Sequence, residues 1–409
     1  MKVEKFKSES GFESYAYFWD EVKEPVGIVQ IIHGMADHIQ RYDFFADFLN
    51  YNNFIVVGMD TRGHGRTAVE GLGLGIVTNG DSFADTVADQ IELAKYVKQK
   101  YNLPLCLFAH SFGSFLSQSY IQRASDLLEG VILCGSARQK ATHLKLGEFV
   151  SKIQSVFCGK DKPAKFITKV TFGGYDKKFA YDKMENAWVC SNLESVKKYN
   201  EDEMCGVTAS IGFFKSMFCG MKDLYEECNL DCIKKDLKIF IISGDNDPVG
   251  GYGKRVKKLY ETYVNTGITD VTMKLYENKR HELLNEDIRD QVMFDALEFF
   301  KSCVTKTSSD EGKEQITALN WYWDWNLIQN NKFLGVNCNF LWEICNSLFI
   351  FFKLCVIIEI IKVMLFLLYL IGIKQSTERV IWIFVLIELI FILCEKIEHN
   401  LQYKTKNSR

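Results

Sequence analysis

Residues 109–113 read Ala-His-Ser-Phe-Gly and place a serine between small flanking residues. An apolar, strand-like run at 105–108 precedes them, and a helix-like stretch at 114–124 follows. A sharp turn between a strand and a helix lifts a serine hydroxyl above a parallel sheet, where it can act as a nucleophile. Glycine is common at both flanks of such a turn, so Ala109 is larger by one methyl group. Ser111 is therefore the candidate nucleophile, although the pentapeptide alone is also found in non-catalytic loops.

A serine nucleophile needs a base that takes its proton and an acid that orients this base. Residues 237–243 read as a buried strand and lead into a turn-rich loop that carries Asp245 and Asp247. The strand-like run 271–276 is followed by His281. Because open α/β sheets place their sites at the carboxyl ends of strands, these groups can meet. We predict that His281 is the base and Asp247 the acid; Asp245 competes, and would otherwise cap the turn.

The negative charge that develops on a substrate carbonyl needs preformed N–H donors. The backbone N–H of Phe112, directly after the serine, is one candidate donor. The second is expected from an early loop after a strand, and the β-branched run 26–32 is followed by such a loop. Gly34 lets this backbone turn, so the N–H of Met35 is the predicted second donor.

Five separated segments occur in an order that is typical of one family. They are residues 33–38 with Arg41 and Tyr42, residues 60–65, residues 109–113, residues 244–250 and residues 280–286. With them the chain resembles the α/β-hydrolase superfamily, and more narrowly the lysophospholipase and monoacylglycerol lipase group of serine-aminopeptidase-like hydrolases. The resemblance covers roughly residues 10–302. It implies the α/β-hydrolase fold and the same roles for Ser111, Asp247, His281 and the Met35 and Phe112 amides, with residues 60–65 as a structural turn.

The order of strand-like and helix-like segments predicts a mostly parallel sheet flanked by helices. We assign residues 1–137 and 233–304 to this core. Residues 138–232 have helix-type spacing, many aromatic residues and no clear strand, which predicts a helical cap over the site. Most of the cap aromatics are expected to form its own core. Whether some of them line an acyl-chain tunnel stays open.

The C-terminal tail has a different composition from the rest of the chain. Residues 305–345 read as a polar linker followed by an aromatic segment suited to a membrane–water interface. Residues 346–396 are predicted to form a hydrophobic helical hairpin, and residues 397–409 a polar end. An in-plane amphipathic helix pair, or a fused or read-through segment, are the alternatives.

Composition excludes several classes of protein. The formal net charge is −3 with no basic stripe, which argues against nucleic-acid binding. Thirteen cysteines without paired spacing, and no apolar leader at the start, favour reduced thiols in a cytoplasm. His33 and His38 lack the one-turn spacing of a helical zinc motif, so we expect no metal. The sequence contains no cofactor motif, so we expect no cofactor. Basic residues near the end of the tail favour a location on the cytoplasmic side of the membrane, anchored by the tail; a free cytoplasmic protein is the alternative.

These features predict a serine carboxylic-ester hydrolase that cleaves single-chain lipid esters through an acyl-enzyme. An esterase or serine peptidase of the same fold is one alternative. A non-catalytic, membrane-associated hydrolase-fold protein is another, motivated by Ala109 and by the tail.

Overall fold

The computed structural model describes residues 1–77 and 82–305, and within them eight strands form one sheet. The strands are β1 (Lys2–Lys7), β2 (Glu13–Trp19), β3 (Gly27–Ile32), β4 (Phe54–Met59), β5 (Leu105–His110), β6 (Gly130–Cys134), β7 (Lys238–Gly244) and β8 (Val271–Tyr276). Their spatial order is β1-β2-β4-β3-β5-β6-β7-β8. The pairs β1–β2 and β2–β4 are antiparallel, and every later pair is parallel. The predicted mostly parallel sheet is confirmed.

The strands at the centre of the sheet are apolar because both of their faces are covered. Every residue of β3, β4, β5 and β6 is buried. The helices are α1 (Asp43–Tyr51), α2 (Gly65–Val69), α3 (Ser82–Tyr101), α4 (Phe112–Ala124), α5 (Ala141–Cys158), α6 (Lys165–Phe172), α7 (Leu193–Glu201), α8 (Ile211–Lys222), α9 (Glu227–Asp231), α10 (Lys254–Asn265) and α11 (Arg289–Val304). Helices α1 and α11 pack on one face of the sheet, and α3, α4 and α10 on the other.

The chain leaves the sheet after β6 and returns to it at β7. Helices α5 to α9 lie between these strands, and α5 packs along α8. Phe213, Phe214 and Met217 of α8 are buried and join the core on the α3 and α4 side of the sheet. These helices carry the aromatic residues on which the cap prediction depends.

Strand β1 is not predicted from the sequence. It forms the edge of the sheet, and its residues are exposed apart from the half-buried Val3 and Phe6. An edge strand with two apolar residues has little hydrophobic pattern to detect. Strand β5 also runs two residues further than the apolar run 105–108 indicates, so that it ends directly before Ser111.

Within residues 1–77 and 82–305, no helix has both the length and the apolar character needed to cross a membrane. The predicted aromatic segment, hydrophobic hairpin and polar end, in residues 306–409, lie outside the described residues.

Candidate active site

Ser111 occupies the turn between β5 and α4. Its backbone has φ of 52° and ψ of −118°, a conformation that is unfavourable for a residue with a side chain. Gly113 is required here, because a Cβ at this position would lie 2.4 Å and 2.5 Å from the carbonyl oxygens of Ile32 and His33. Ala109 lies in β5 with its side chain buried in the core, and the turn forms with alanine at this position.

Three side chains form a continuous chain of hydrogen bonds at the carboxyl edge of the sheet. The Ser111 Oγ lies 2.7 Å from His281 Nε2, and His281 Nδ1 lies 2.9 Å from Asp247 Oδ2. Asp247 is fully buried, and its carboxylate also accepts hydrogen bonds from the Val249 N–H and the Ser243 hydroxyl. The structure therefore brings together the three residues predicted as nucleophile, base and acid.

The two candidate acids have different partners. Asp245 is half-buried, and its Oδ1 accepts the backbone N–H of Asn278 at 2.8 Å, so it braces the loop before the histidine. Only Asp247 reaches the imidazole of His281. Burial disfavours the charged form of His281, but the charge and hydrogen bond of Asp247 outweigh it and raise the pKa of His281 above its usual value.

The two predicted oxyanion donors belong to backbone segments that border Ser111. A Cβ on Gly34 would lie 3.2 Å from the Ser111 Cβ, which places the loop before Met35 against the nucleophile. Phe112 is the first residue of α4, where an amide N–H has no partner within the helix. In the part of the chain that the structure describes, neither the Met35 nor the Phe112 N–H meets an acceptor. The positive end of the α4 dipole also favours negative charge here.

Two residues of the segment between β6 and β7 hold the loop that carries Met35. Ala36 has a left-handed backbone with φ of 52°, and its carbonyl oxygen accepts the Tyr199 hydroxyl at 3.1 Å and the Gly206 N–H at 3.0 Å. The Asp37 Oδ2 accepts the Gly34 N–H at 3.2 Å. The conformation of this loop therefore depends on Asp37, Tyr199 and Gly206.

A buried group of charges, to which the sequence alone assigns no role, lies beside these loops. The Arg41 guanidinium donates to both oxygens of Glu282, at 2.9 Å and 2.8 Å, and to Asp37 at 2.9 Å. Burial alone would raise the pKa values of both carboxyls, but the Arg41 charge holds them below their usual range. The signals in the sequence were the i, i+4 spacing of Asp37 and Arg41 and the acid directly after His281.

Potential metal ligands meet at one place among the described residues. Ligand atoms of His38, Asp202 and Cys205 lie within 4.8 Å of one another, and His38 Nε2 is hydrogen-bonded to Asp202 Oδ2 at 2.9 Å. His33 lies elsewhere, with its Nε2 accepting the Thr61 N–H at 3.0 Å. The pair of histidines singled out in the sequence therefore does not converge on one site.

The sequence profile of the family "Serine aminopeptidase, S33" matches residues 23–288. The chain belongs to this family. A monoglyceride lipase homolog of Monkeypox virus is 30% identical over 104 residues, which are 25% of this chain and 36% of that protein. The first curated relatives are matched over only about a third of their own length.

Solved structures show the same fold. A thermostable carboxyl esterase from Bacillus coagulans, solved with glycerol, is 27% identical with a TM-score of 0.69, and the match covers 74% of this chain and 99% of the esterase. A soluble variant of the monoglyceride lipase of Saccharomyces cerevisiae has a TM-score of 0.57 at 18% identity, over 74% of this chain and 95% of that structure. The predicted α/β-hydrolase fold and the resemblance to the monoglyceride lipase group are confirmed, and these neighbours support a hydrolase.

Proposed function

We propose that this protein is a serine carboxylic-ester hydrolase that cleaves single-chain lipid esters. The observation that carries the proposal is the hydrogen-bonded chain from Ser111 through His281 to Asp247, with the free N–H groups of Met35 and Phe112 beside it. Each component of acyl transfer is then supplied by a residue of the described chain.

Acylation begins when His281 Nε2 takes the proton of the Ser111 hydroxyl. The Ser111 Oγ attacks the acyl carbonyl, and the electron pair of the C=O bond moves to oxygen, where the Met35 and Phe112 amides stabilise it. Asp247 stabilises the imidazolium and stays ionised. The C=O bond then re-forms, the protonated His281 gives its proton to the leaving alcohol, and the acyl group remains on Ser111.

Deacylation repeats these steps with water. The His281 Nε2 takes a proton from a water molecule, whose oxygen attacks the acyl carbonyl of the ester on Ser111. The same two amides stabilise the oxyanion. When it collapses, the Ser111 Oγ leaves and recovers its proton from His281, so that the fatty acid is released and the enzyme is restored.

Aromatic side chains around the serine favour a long apolar acyl group. The Trp188 ring lies 5.1 Å from the His281 ring, and the Phe213 ring lies 5.1 Å from that of Phe112. A small pocket beside Phe112 is lined mainly by apolar residues, which include Phe83 and Met217. An acyl chain that packs against these aromatic side chains exchanges water for apolar contact, which is the main source of binding energy for such a group.

An exposed apolar face on α5 and α6 supports delivery of the substrate from a membrane. Its members share helical spacing and are Leu146, Phe149, Ile153, Val156 and Phe157 of α5, with Phe166 and Val170 of α6. Val156 and Phe157 are 77% and 73% exposed, and contiguous apolar surface of this kind marks an interaction site. We propose that this face, hereafter the cap apolar face, lies on the cytoplasmic leaflet from which the lipid enters.

A peptidase that recognises a free amino terminus needs an unpaired carboxylate near the serine. The buried carboxylates of Asp37 and Glu282, beside the site, are both paired with Arg41. The geometry thus favours an ester over a peptide substrate. The non-catalytic alternative loses its support from Ala109, because the strained turn forms with this residue in place.

Fatty-acid release by the full chain tests the proposal. Monoacylglycerol, lysophosphatidylcholine and a short-chain ester are compared, with Ser111→Ala as the matched control. We expect serine-dependent release, faster from a long-chain substrate than from the short one. Release of an amino-terminal residue from peptides, with no release from any ester, would instead identify a peptidase. Failure of a fluorophosphonate probe to label Ser111 would indicate a non-catalytic protein.

A further inference from the structure

The Arg41 guanidinium contacts two loops that are far apart in the sequence. One loop follows β3 and carries Met35 and Asp37; the other follows β8 and carries His281 and Glu282. The Arg41 Nη1 lies 2.9 Å from Asp37 Oδ1 and 2.9 Å from Glu282 Oε1, and its Nη2 lies 2.8 Å from Glu282 Oε2. The guanidinium therefore joins the oxyanion loop to the loop of the base.

This ion pair differs from a surface salt bridge. The Asp37 and Glu282 side chains are 3% and 6% exposed, and that of Arg41 is 15% exposed. A bidentate guanidinium–carboxylate contact has a fixed planar geometry, and removal of one buried partner leaves the other charge without compensation. Such a contact can set the relative position of two backbone segments, which a flexible exposed pair does not.

Each carboxylate is coupled to a group that takes part in the proposed reaction. The Asp37 Oδ2 accepts the Gly34 N–H, so it orients the peptide next to the Met35 donor. Glu282 follows His281 directly, and its Oε2 also accepts the Asn285 side-chain amide at 2.8 Å. A shift of either carboxylate would move a backbone segment that positions an oxyanion donor or the imidazole.

A second contact runs between the same loops. The Tyr42 hydroxyl donates to Asp37 Oδ2 at 3.0 Å and lies 3.1 Å from His110 Nδ1, and His110 Nε2 lies 3.4 Å from the His281 carbonyl oxygen. His110 precedes Ser111 in the chain. Burial and the neighbouring His281 lower the pKa of His110 to about 4. His110 is therefore uncharged at neutral pH, and it links Tyr42 to the His281 carbonyl by neutral contacts.

We propose that Arg41 is a positioning residue that holds the oxyanion donor of Met35 and the imidazole of His281 at their working separation from Ser111. The proposal rests on the proposed function, because it assigns Arg41 to the same serine-dependent reaction. Arg41 contacts no reacting atom and acts through Asp37 and Glu282.

The test compares Arg41→Ala with a matched buried pair elsewhere. Arg62 forms a bidentate contact with Asp89, at 2.6 Å and 3.0 Å, that is more deeply buried than that of Arg41. Neither residue adjoins Ser111, Asp247 or His281 in the chain. Full-length Arg41→Ala and Arg62→Ala proteins are assayed for the rate at which a fluorophosphonate labels Ser111, for kcat and KM with monoacylglycerol, and for Tm.

We expect both variants to lose thermal stability. Arg41→Ala should also lose roughly 100-fold in labelling rate and in kcat with little change in KM, since small misplacements of reacting groups have effects of this size. Arg62→Ala should label at a rate close to wild type. Because Arg41 is reached from solvent, added guanidinium ion should restore labelling in Arg41→Ala and have no such effect on Arg62→Ala.

Further measurements separate a failure of this proposal from a variant that does not fold and from a failure of the proposed function. If Arg41→Ala does not fold, Glu282→Gln, which keeps an acceptor for Arg41, replaces it and is expected to slow labelling with unchanged KM. Wild-type labelling rates in a folded Arg41→Ala or Glu282→Gln protein would overturn the inference alone. Absence of labelling in the wild-type protein would overturn the inference and the proposed function together, whereas labelling without lipid hydrolysis would overturn only the lipid substrate.

Discussion

The indole of Trp188 lies over the imidazole of His281, with ring centroids 5.1 Å apart and ring planes inclined by 38°. Trp188 belongs to the segment between β6 and β7, and it also stacks on Phe172 with planes inclined by 5°. The base of the proposed reaction is therefore covered by a residue that is remote from it in sequence. Trp188 thus links Phe172 to the candidate site.

Replacement of Trp188 by alanine should reduce kcat/KM for a long-chain monoacylglycerol by about 10-fold or more, because the acyl chain loses a large apolar contact. Hydrolysis of a short-chain soluble ester should change much less. The measurement is the ratio of the two kcat/KM values in the full chain. Tyr51→Ala, which removes an exposed aromatic residue of α1, is the control. An equal loss for both esters would show that Trp188 serves the histidine and not the acyl chain.

The order of the strands and loops around the site could be predicted from the sequence, because each of them has a local sequence pattern. Gly113 and Gly34 stand where the backbone approaches other atoms closely, and the central strands are continuous apolar runs. These patterns allowed the parallel sheet, the serine turn and the loops of Asp247 and His281 to be predicted. The roles of the site residues remain predictions that the experiments above address.

Other features depend on contacts that no local pattern reports. Strand β1 forms at an edge with only two apolar residues, so its pairing with β2 is needed to reveal it. The bridge from Asp37 through Arg41 to Glu282 joins residues that are more than half of the described chain apart. Which of Asp245 and Asp247 reaches His281 is likewise decided by the path of the loop, because both carboxylates follow the same strand.

The backbone strain at Ser111 predicts a stability change that is separate from activity. Because φ of 52° with ψ of −118° is unstrained for glycine but strained for a residue with a Cβ, Ser111→Gly should be more stable than Ser111→Ala by about 1 kcal/mol. Both variants should lose at least ~10⁴-fold in kcat. Urea unfolding of the two inactive proteins measures the difference. Equal stability would mean that the turn relaxes when the hydroxyl is lost.

The acid limb of the pH profile should report His281. Its pKa is raised, so the neutral form that accepts the Ser111 proton forms only above the ordinary imidazole value of 6.5, and kcat/KM should fall as the pH drops through this raised value. Removing the Asp247 charge removes the main group that raises this pKa. Asp247→Asn should therefore shift the limb to lower pH and lower kcat by about 10⁴-fold.

Asp245→Asn is the matched control for this experiment, because it removes a carboxylate two residues away that contacts the Asn278 N–H instead of the imidazole. It should keep the wild-type profile and most of the activity. A collapse of activity in Asp245→Asn with a mild effect of Asp247→Asn would reverse the assignment of the acid.

The cap apolar face should matter only when the substrate is presented in a bilayer. Replacing Phe149, Val156 and Phe157 together by serine removes exposed apolar surface without disturbing buried contacts, so the soluble short-chain ester should be hydrolysed at the wild-type rate. Hydrolysis of monoacylglycerol in phospholipid vesicles should fall by roughly 10-fold, because each apolar side chain that enters the membrane interface contributes to binding.

Tyr51→Ser, at an exposed aromatic residue of α1, controls for a general loss of surface hydrophobicity. Residues 306–409, which are predicted from the sequence to associate with a membrane, are present in every variant. The variants are therefore compared by their rate of hydrolysis in vesicles and not by vesicle binding. An unchanged vesicle rate in the triple variant would mean that the lipid reaches Ser111 by a route that does not involve α5.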